Sequence, residues 1–188
     1  MKKVIYLSLL LVFIVSCNTK DKSSEALQFE QKEFVQSSDN CIADECTTIK
    51  LSLPVMTNED HEIAAKINQH LVSEIDNIVA VDDTTATSAS LAELTQNYIQ
   101  NYNAFVAKYP DETLAWKAEV EGDITFYNAD LLSISLEYYT FAGGAYGFKS
   151  EKALNFNPKT GDLYQVEDLI GNWEELQKLM ALQLKDKM

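Results

Sequence analysis

From Leu114 to Phe126 apolar and polar residues take turns. Leu114, Trp116, Ala118, Val120, Ile124 and Phe126 share one parity, and Lys117, Glu119, Glu121 and Asp123 hold the other. Successive side chains of a strand point to opposite faces, so this pattern demands a sheet with one face buried and the other in water. Gly122 interrupts the run and is expected to bend it. Asn128-Ala129-Asp130 then turns the chain, and Leu131 to Thr140 returns as an antiparallel partner. A glycine-rich corner, Gly143 to Gly147, leads to a third strand around Ala153 to Asn157. Asn157-Pro158-Lys159-Thr160-Gly161 carries the residues of another hairpin turn. Upstream, Thr47 to Val55 alternates through Ile49, Leu51 and Leu53 and stops near Pro54, which reads as one more strand.

A half-buried sheet needs a cover, and the sequence supplies helices with one apolar stripe each. Thr57-Asn58-Glu59-Asp60 is an N-terminal capping signal. Behind it Ile63, Ile67, Leu71, Ile75 and Ile78 recur at helical spacing. Ser90 and Glu93 repeat the capping-box spacing ahead of a second stripe, Leu91, Leu94, Tyr98, Tyr102, Phe105 and Tyr109, which Pro110 closes. A last helix, from about Asp168 or Asn172, carries Trp173, Leu176, Leu179, Met180 and Leu184. Helices in blocks beside hairpin-linked strands predict an α+β fold, an antiparallel sheet covered by amphipathic helices.

The N-terminus reads as an export signal. Lys2 and Lys3 precede an uncharged apolar run of twelve residues, Val4 to Val15. A helix crossing a bilayer takes about 20 apolar residues, whereas the apolar region of a secretory signal is shorter. Ile14-Val15-Ser16-Cys17 then matches a lipoprotein cleavage site. Residues 1–16 are expected to be removed and Cys17 to be lipidated, with two or three acyl chains anchoring the protein to a membrane. Residues 17–40 are polar and read as a flexible tether. Residues 41–188 make a single domain. The expected location is extracytoplasmic, on the cell envelope.

Charge narrows the partners. The formal net charge is −14, and no arginine occurs. Loss of Lys2 and Lys3 leaves 13 lysines against 29 acids, or −16. Nucleic acid is bound by clustered Lys and Arg, so it is excluded as a partner. Long-range steering would instead favour a cationic one. With Cys17 acylated, Cys41 and Cys46 remain, and in an exported chain two cysteines five positions apart read as a disulfide. The rival metal site would need further ligands, and Ile42-Ala43-Asp44-Glu45 offers only acids.

Catalytic signatures are weak throughout. His61 and Glu62 could open a zinc-protease helix, but the second histidine falls on Ala65 instead. His70 is nine residues beyond His61, on the opposite face of a helix. Gly143-Gly144-x-x-Gly147 faintly echoes a phosphate loop, yet a strand rather than a helix follows it. The acid pairs Glu119 with Glu121 and Asp82 with Asp83 lack any mark of the buried, pKa-shifted carboxylate that glycoside hydrolysis requires. There is no G-x-S-x-G. No catalytic residue, metal or cofactor is expected.

The run VEGDITFYNADLLSISLEYYTFAGGAYGFKSEKALNFNPKTGDLYQVEDLI resembles one known family. This is the extracytoplasmic domain shared by the lysozyme-binding anti-sigma-V factor RsiV and the non-catalytic N-terminal part of the peptidoglycan deacetylase PdaC. The resemblance rests on the corner from Phe141 to Gly147, the segment from Asn155 to Gly161 and the acidic entry to a helix at Glu167 to Ile170. Tyr146 stands where that family usually has histidine, so no imidazole role carries over. The deacetylase's metal-binding catalytic residues have no counterpart, and the chain stops at Met188 where similar domains continue with further C-terminal strands, as either a shortened form or a fragment would. The resemblance implies a binding module for an envelope ligand, either a lysozyme-like basic protein or cell-wall glycan. Its candidate surface is Tyr138, Tyr139, Phe141, Gly143, Gly144, Tyr146 and Gly147. The alternatives are an enzyme acting on peptidoglycan and a structural lipoprotein that associates with another subunit through an exposed sheet edge.

Overall fold

The computed structural model describes residues 26–42, 44–58, 62–81, 88–110 and 114–185. The expected export signal and lipidation site Cys17 lie outside the described residues, as do His61, Asp82 and Asp83. Among the described residues no helix is long and apolar enough to cross a membrane. Five strands form one sheet in sequential order: β1 (Phe29–Ile42), β2 (Glu45–Met56), β3 (Lys117–Tyr127), β4 (Leu132–Phe141) and β5 (Phe148–Phe156). Two long helices, α1 (Glu62–Val79) and α2 (Leu91–Lys108), connect β2 to β3, and two shorter ones, α3 (Val166–Leu169) and α4 (Trp173–Lys185), follow β5. The fold is α+β as expected, with one difference: β2 and β3 pair parallel. A parallel pair needs a crossover connection, and the α1–α2 block provides it.

The flexible tether expected over residues 17–40 does not hold from Phe29 onward. From Phe29 onward the polar segment is a strand, antiparallel to β2, with Phe34 opposite Leu51 and Gln36 opposite Ile49. Its polar composition hid it, because an edge strand needs only a few apolar contacts once its backbone is paired. Cys41 lies opposite Cys46, their disulfide spanning 4.1 Å between Cα atoms. The bond therefore closes the β1–β2 hairpin end, where Asp44 takes a positive φ of 69°.

The core lies between one sheet face and the α1–α2 pair. Ile49, Leu51 and Leu53 of β2, Val120 of β3 and Ile134 and Leu136 of β4 are buried against Ile67, Leu71 and Ile75 of α1. At the mouth of β3, Trp116 sits among three α2 rings, with centroids 6.0 Å from Tyr98, 5.4 Å from Tyr102 and 5.3 Å from Phe105. Its backbone N–H donates to Thr47 Oγ1 at 2.7 Å and its carbonyl accepts from Thr48 N–H at 3.0 Å. Burial pushes the Tyr98 phenol well above its usual range. Helix α2 starts at the expected cap: Ser90 Oγ accepts from Glu93 N–H at 3.2 Å, and the Glu93 carboxylate reaches back to Ala89 N–H at 2.8 Å.

Three expectations need correction. Gly122 does not interrupt β3: it stays in register opposite Leu136. It is glycine because a Cβ there would come within 2.9 Å of methyls of Leu136 and Leu53. The irregularity falls one step later, between Ile124 and Phe126, and it throws Phe126 outward to 49% exposure. Leu114 precedes the strand and is equally exposed. Finally, α4 has no fully buried residue: Trp173 and Leu176 are half-buried, and Leu179, Met180 and Leu184 all face solvent. Helical spacing reports a stripe, not what the stripe touches.

The turn after β5 is tied to α1. Asn157 accepts from Thr160 and Gly161 N–H, and Gly161, at φ 71°, lies too near Ile63 O for a side chain. Lys66 Nζ contacts the Asp162 carboxylate at 2.5 Å, and that hydrogen bond holds the carboxyl below its usual range.

Candidate functional site

Among the described residues the helices pack on one face of the sheet only, and the other face is open. Residues directly opposite across a ladder share a face, so the register alone names its occupants. Glu33 of β1 is opposite Ser52 of β2, Ser52 is beside Glu121 of β3, Glu121 is opposite Glu137 of β4, and Glu137 is opposite Glu151 of β5. Four glutamates and one serine therefore cross the sheet in a single row. The next row runs Val35, Lys50, Glu119, Tyr139 and Lys149 by the same pairings. All of these residues but Val35 and Glu151 line a shallow groove of about 440 Å³.

Like charges directly opposite one another destabilise a sheet, and Glu137 has one on each side. Partial compensation exists. Lys117 Nζ lies 2.9 Å from Glu119, Lys149 Nζ lies 3.9 Å from Glu137, and Ser135 Oγ donates to Glu151 at 2.8 Å. All of these side chains are solvated, so each contact contributes little to stability. The row remains a concentrated acceptor surface, suited to ammonium and guanidinium groups. Among the described residues no three His, Cys, Asp or Glu side chains converge as metal ligands.

The structure divides the expected corner surface. Tyr138 is opposite Val120 and Ser150, which puts it on the helix side, where it packs against the core and Phe148 at 6.1 Å. Tyr139 and Phe141 belong to the open face, opposite Glu119 and Lys117. The ring of Tyr139 lies over Gly147, where a Cβ would meet it at 2.3–2.4 Å, and Lys117 Nζ sits 5.8 Å from that ring's centroid. Gly143 and Gly144 take φ of 97° and 89° with open space around them, so they serve the turn. Tyr146 is 90% exposed. Of the seven residues, Tyr139 and Phe141 share the open face with the glutamate rows. His70 is half-buried on α1, its ring 6.1 Å from that of Phe156, a boundary residue as expected.

The glutamate row was not anticipated. Its members come from four segments, and Glu33 fell within the supposed tether. The polar parities were visible, but nothing local specifies which glutamate faces which.

A family model described as Deacetylase PdaC matches residues 41–149. The chain belongs to the PdaC family. The match takes in β2, α1, α2, β3, β4 and the glycine corner; of the segments that carried the resemblance in sequence it includes Phe141 to Gly147, while Asn155 to Gly161 and Glu167 to Ile170 lie beyond it. No curated protein matches the chain. Among solved structures, a DUF3298 family protein from Pseudomonas aeruginosa is similar with a TM-score of 0.59 at 18% identity, over 86% of this chain and 66% of that one. A DUF3298 family member from Bacteroides fragilis gives a TM-score of 0.64 at 16% identity, over 86% of this chain and 69% of that one. This chain thus spans about two thirds of either relative. At such identities the likeness concerns the fold, and both relatives share the PdaC-type α+β arrangement found here.

Proposed function

We propose that this PdaC-family chain is a lipid-anchored extracytoplasmic binding module whose open sheet face takes a basic protein ligand of the lysozyme type. The observation carrying the reading is the row Glu33, Glu121, Glu137 and Glu151. A fold selected for stability alone would not set three glutamates side by side on adjacent strands, whereas a cationic ligand turns that repulsion into attraction. The overall acidity supports it by drawing a basic partner from a distance. The family resemblance supports it too, through the lysozyme-binding member. The name of the family points to a deacetylase, but the reading here is one of binding, and it uses the carboxylates as acceptors only.

Calorimetric titration of the protein with hen lysozyme at low salt is the test. Saturable binding is expected, weakening by roughly tenfold or more as ionic strength rises through the physiological 0.15 M. No complex at low salt, or one indifferent to salt, contradicts the proposal. The anchor is tested separately by metabolic labelling with a palmitate analogue, which should mark the wild type and leave Cys17→Ser blank.

A further inference from the structure

Among the described residues the sheet ends at β5, whose free edge is bounded at both ends. At its far end Tyr164 N–H donates to Asn155 O at 2.7 Å and Asn157 N–H donates to Asp162 O at 2.8 Å, with Leu163 bridged to Phe156. The segment around Leu163 therefore occupies the edge from Asn155 onward. At the near end the strand begins after Gly147, where the corner turns away. What remains unpaired among the described residues runs from Gly147 to Ala153, and its midpoint is Ser150.

Backbone direction follows from the same contacts. Asn155 uses its carbonyl on the free side, and in a strand every second residue points its N–H and C=O the same way. Lys149, Glu151 and Ala153 thus present their backbone groups outward, an unpaired template for another strand. Antiparallel pairing of two copies of this edge about Ser150 sets Lys149 of each copy opposite Glu151 of the other. These are the outward-pointing residues, so each pair would exchange both backbone hydrogen bonds, and their side chains lie together on the open face. Moving the register by one two-residue step puts Glu151 opposite Glu151 in one direction and Lys149 opposite Lys149 in the other. The centring of the free edge and the charge pattern select the same register.

We infer that a second copy of this chain docks on the β5 edge, antiparallel about Ser150, joining two five-stranded sheets into one of ten. Opposite residues share a face, so both glutamate rows lie on one side of the joined sheet and all four long helices on the other. Phe148, 60% exposed in the single chain, falls opposite Lys152 of the second copy. The dimer does not depend on the ligand reading, because the pairing uses backbone groups and Lys149 and Glu151 alone.

Sedimentation equilibrium of the full chain in density-matched detergent tests this without any ligand present. The wild type should show a monomer–dimer equilibrium. Lys149→Glu or Glu151→Lys alone places like charges opposite one another twice, and either should weaken the dimer by roughly tenfold or more. The double swap Lys149→Glu/Glu151→Lys restores both pairs and should restore the dimer. A wild type that stays monomeric, as it would if another strand or a different protein covered this edge, overturns the inference. So does a dimer indifferent to either single swap.

Discussion

Replacing Trp116 with alanine is expected to lower the unfolding free energy by about 3–5 kcal/mol, the cost of emptying a large aromatic site in a core. The figure sits at the high end for single substitutions because Trp116 does three things at once. Its indole fills the space between the start of β3 and the rings of Tyr98, Tyr102 and Phe105. Its backbone joins β3 to Thr47 and Thr48 at the head of β2. That junction is where the single parallel pair begins after a crossover of two helices, so its loss loosens the contact that returns the chain to the sheet. Urea unfolding followed by circular dichroism checks it. A large drop in midpoint with an unchanged slope is expected, and a loss below about 1 kcal/mol would show that α2 can collapse onto the gap.

Much of this arrangement can be read from local pattern. The two long helices follow from stripes at helical spacing and the Ser90 cap, and β2, β3 and β4 from strict alternation. What local pattern does not contain is partnership. Nothing in Thr47 to Val55 says that it pairs parallel with residues 117–121. Leu176, Met180 and Leu184 have the same four-residue spacing as Ile67, Leu71 and Ile75, yet Met180 and Leu184 face water and the whole second set is buried. The strand from Phe29 was missed for the opposite reason: Phe34 and Ile42 alone give it apolar contacts with the core, and the rest of its order comes from backbone pairing and a disulfide. The candidate surface suffered in the same way. Tyr138 and Tyr139 are neighbours in sequence and face opposite sides of the sheet, while the four glutamates are far apart in sequence and stand in one row.

Neutralising part of that row should separate binding from stability. The double variant Glu121→Gln/Glu137→Gln removes both like-charge oppositions centred on Glu137, at the loss of one exposed contact to Lys149. Thermal unfolding should move upward, corresponding to a gain of a few tenths to about 1 kcal/mol. Binding of a basic protein should move the other way, weaker by about tenfold or more, since two of the acceptor charges are gone. A substitution that merely damaged the fold would lower both quantities, so the opposite signs identify carboxylates kept for a ligand at a cost in stability.

The most direct measurement is therefore a paired titration of hen lysozyme into the wild type and into Glu121→Gln/Glu137→Gln at low salt, with the melting temperature of each taken alongside. Tight, salt-sensitive binding by the wild type and markedly weaker binding by a more stable variant is the outcome expected. Equal affinity for both proteins would mean that the open sheet face is not where a basic ligand is held.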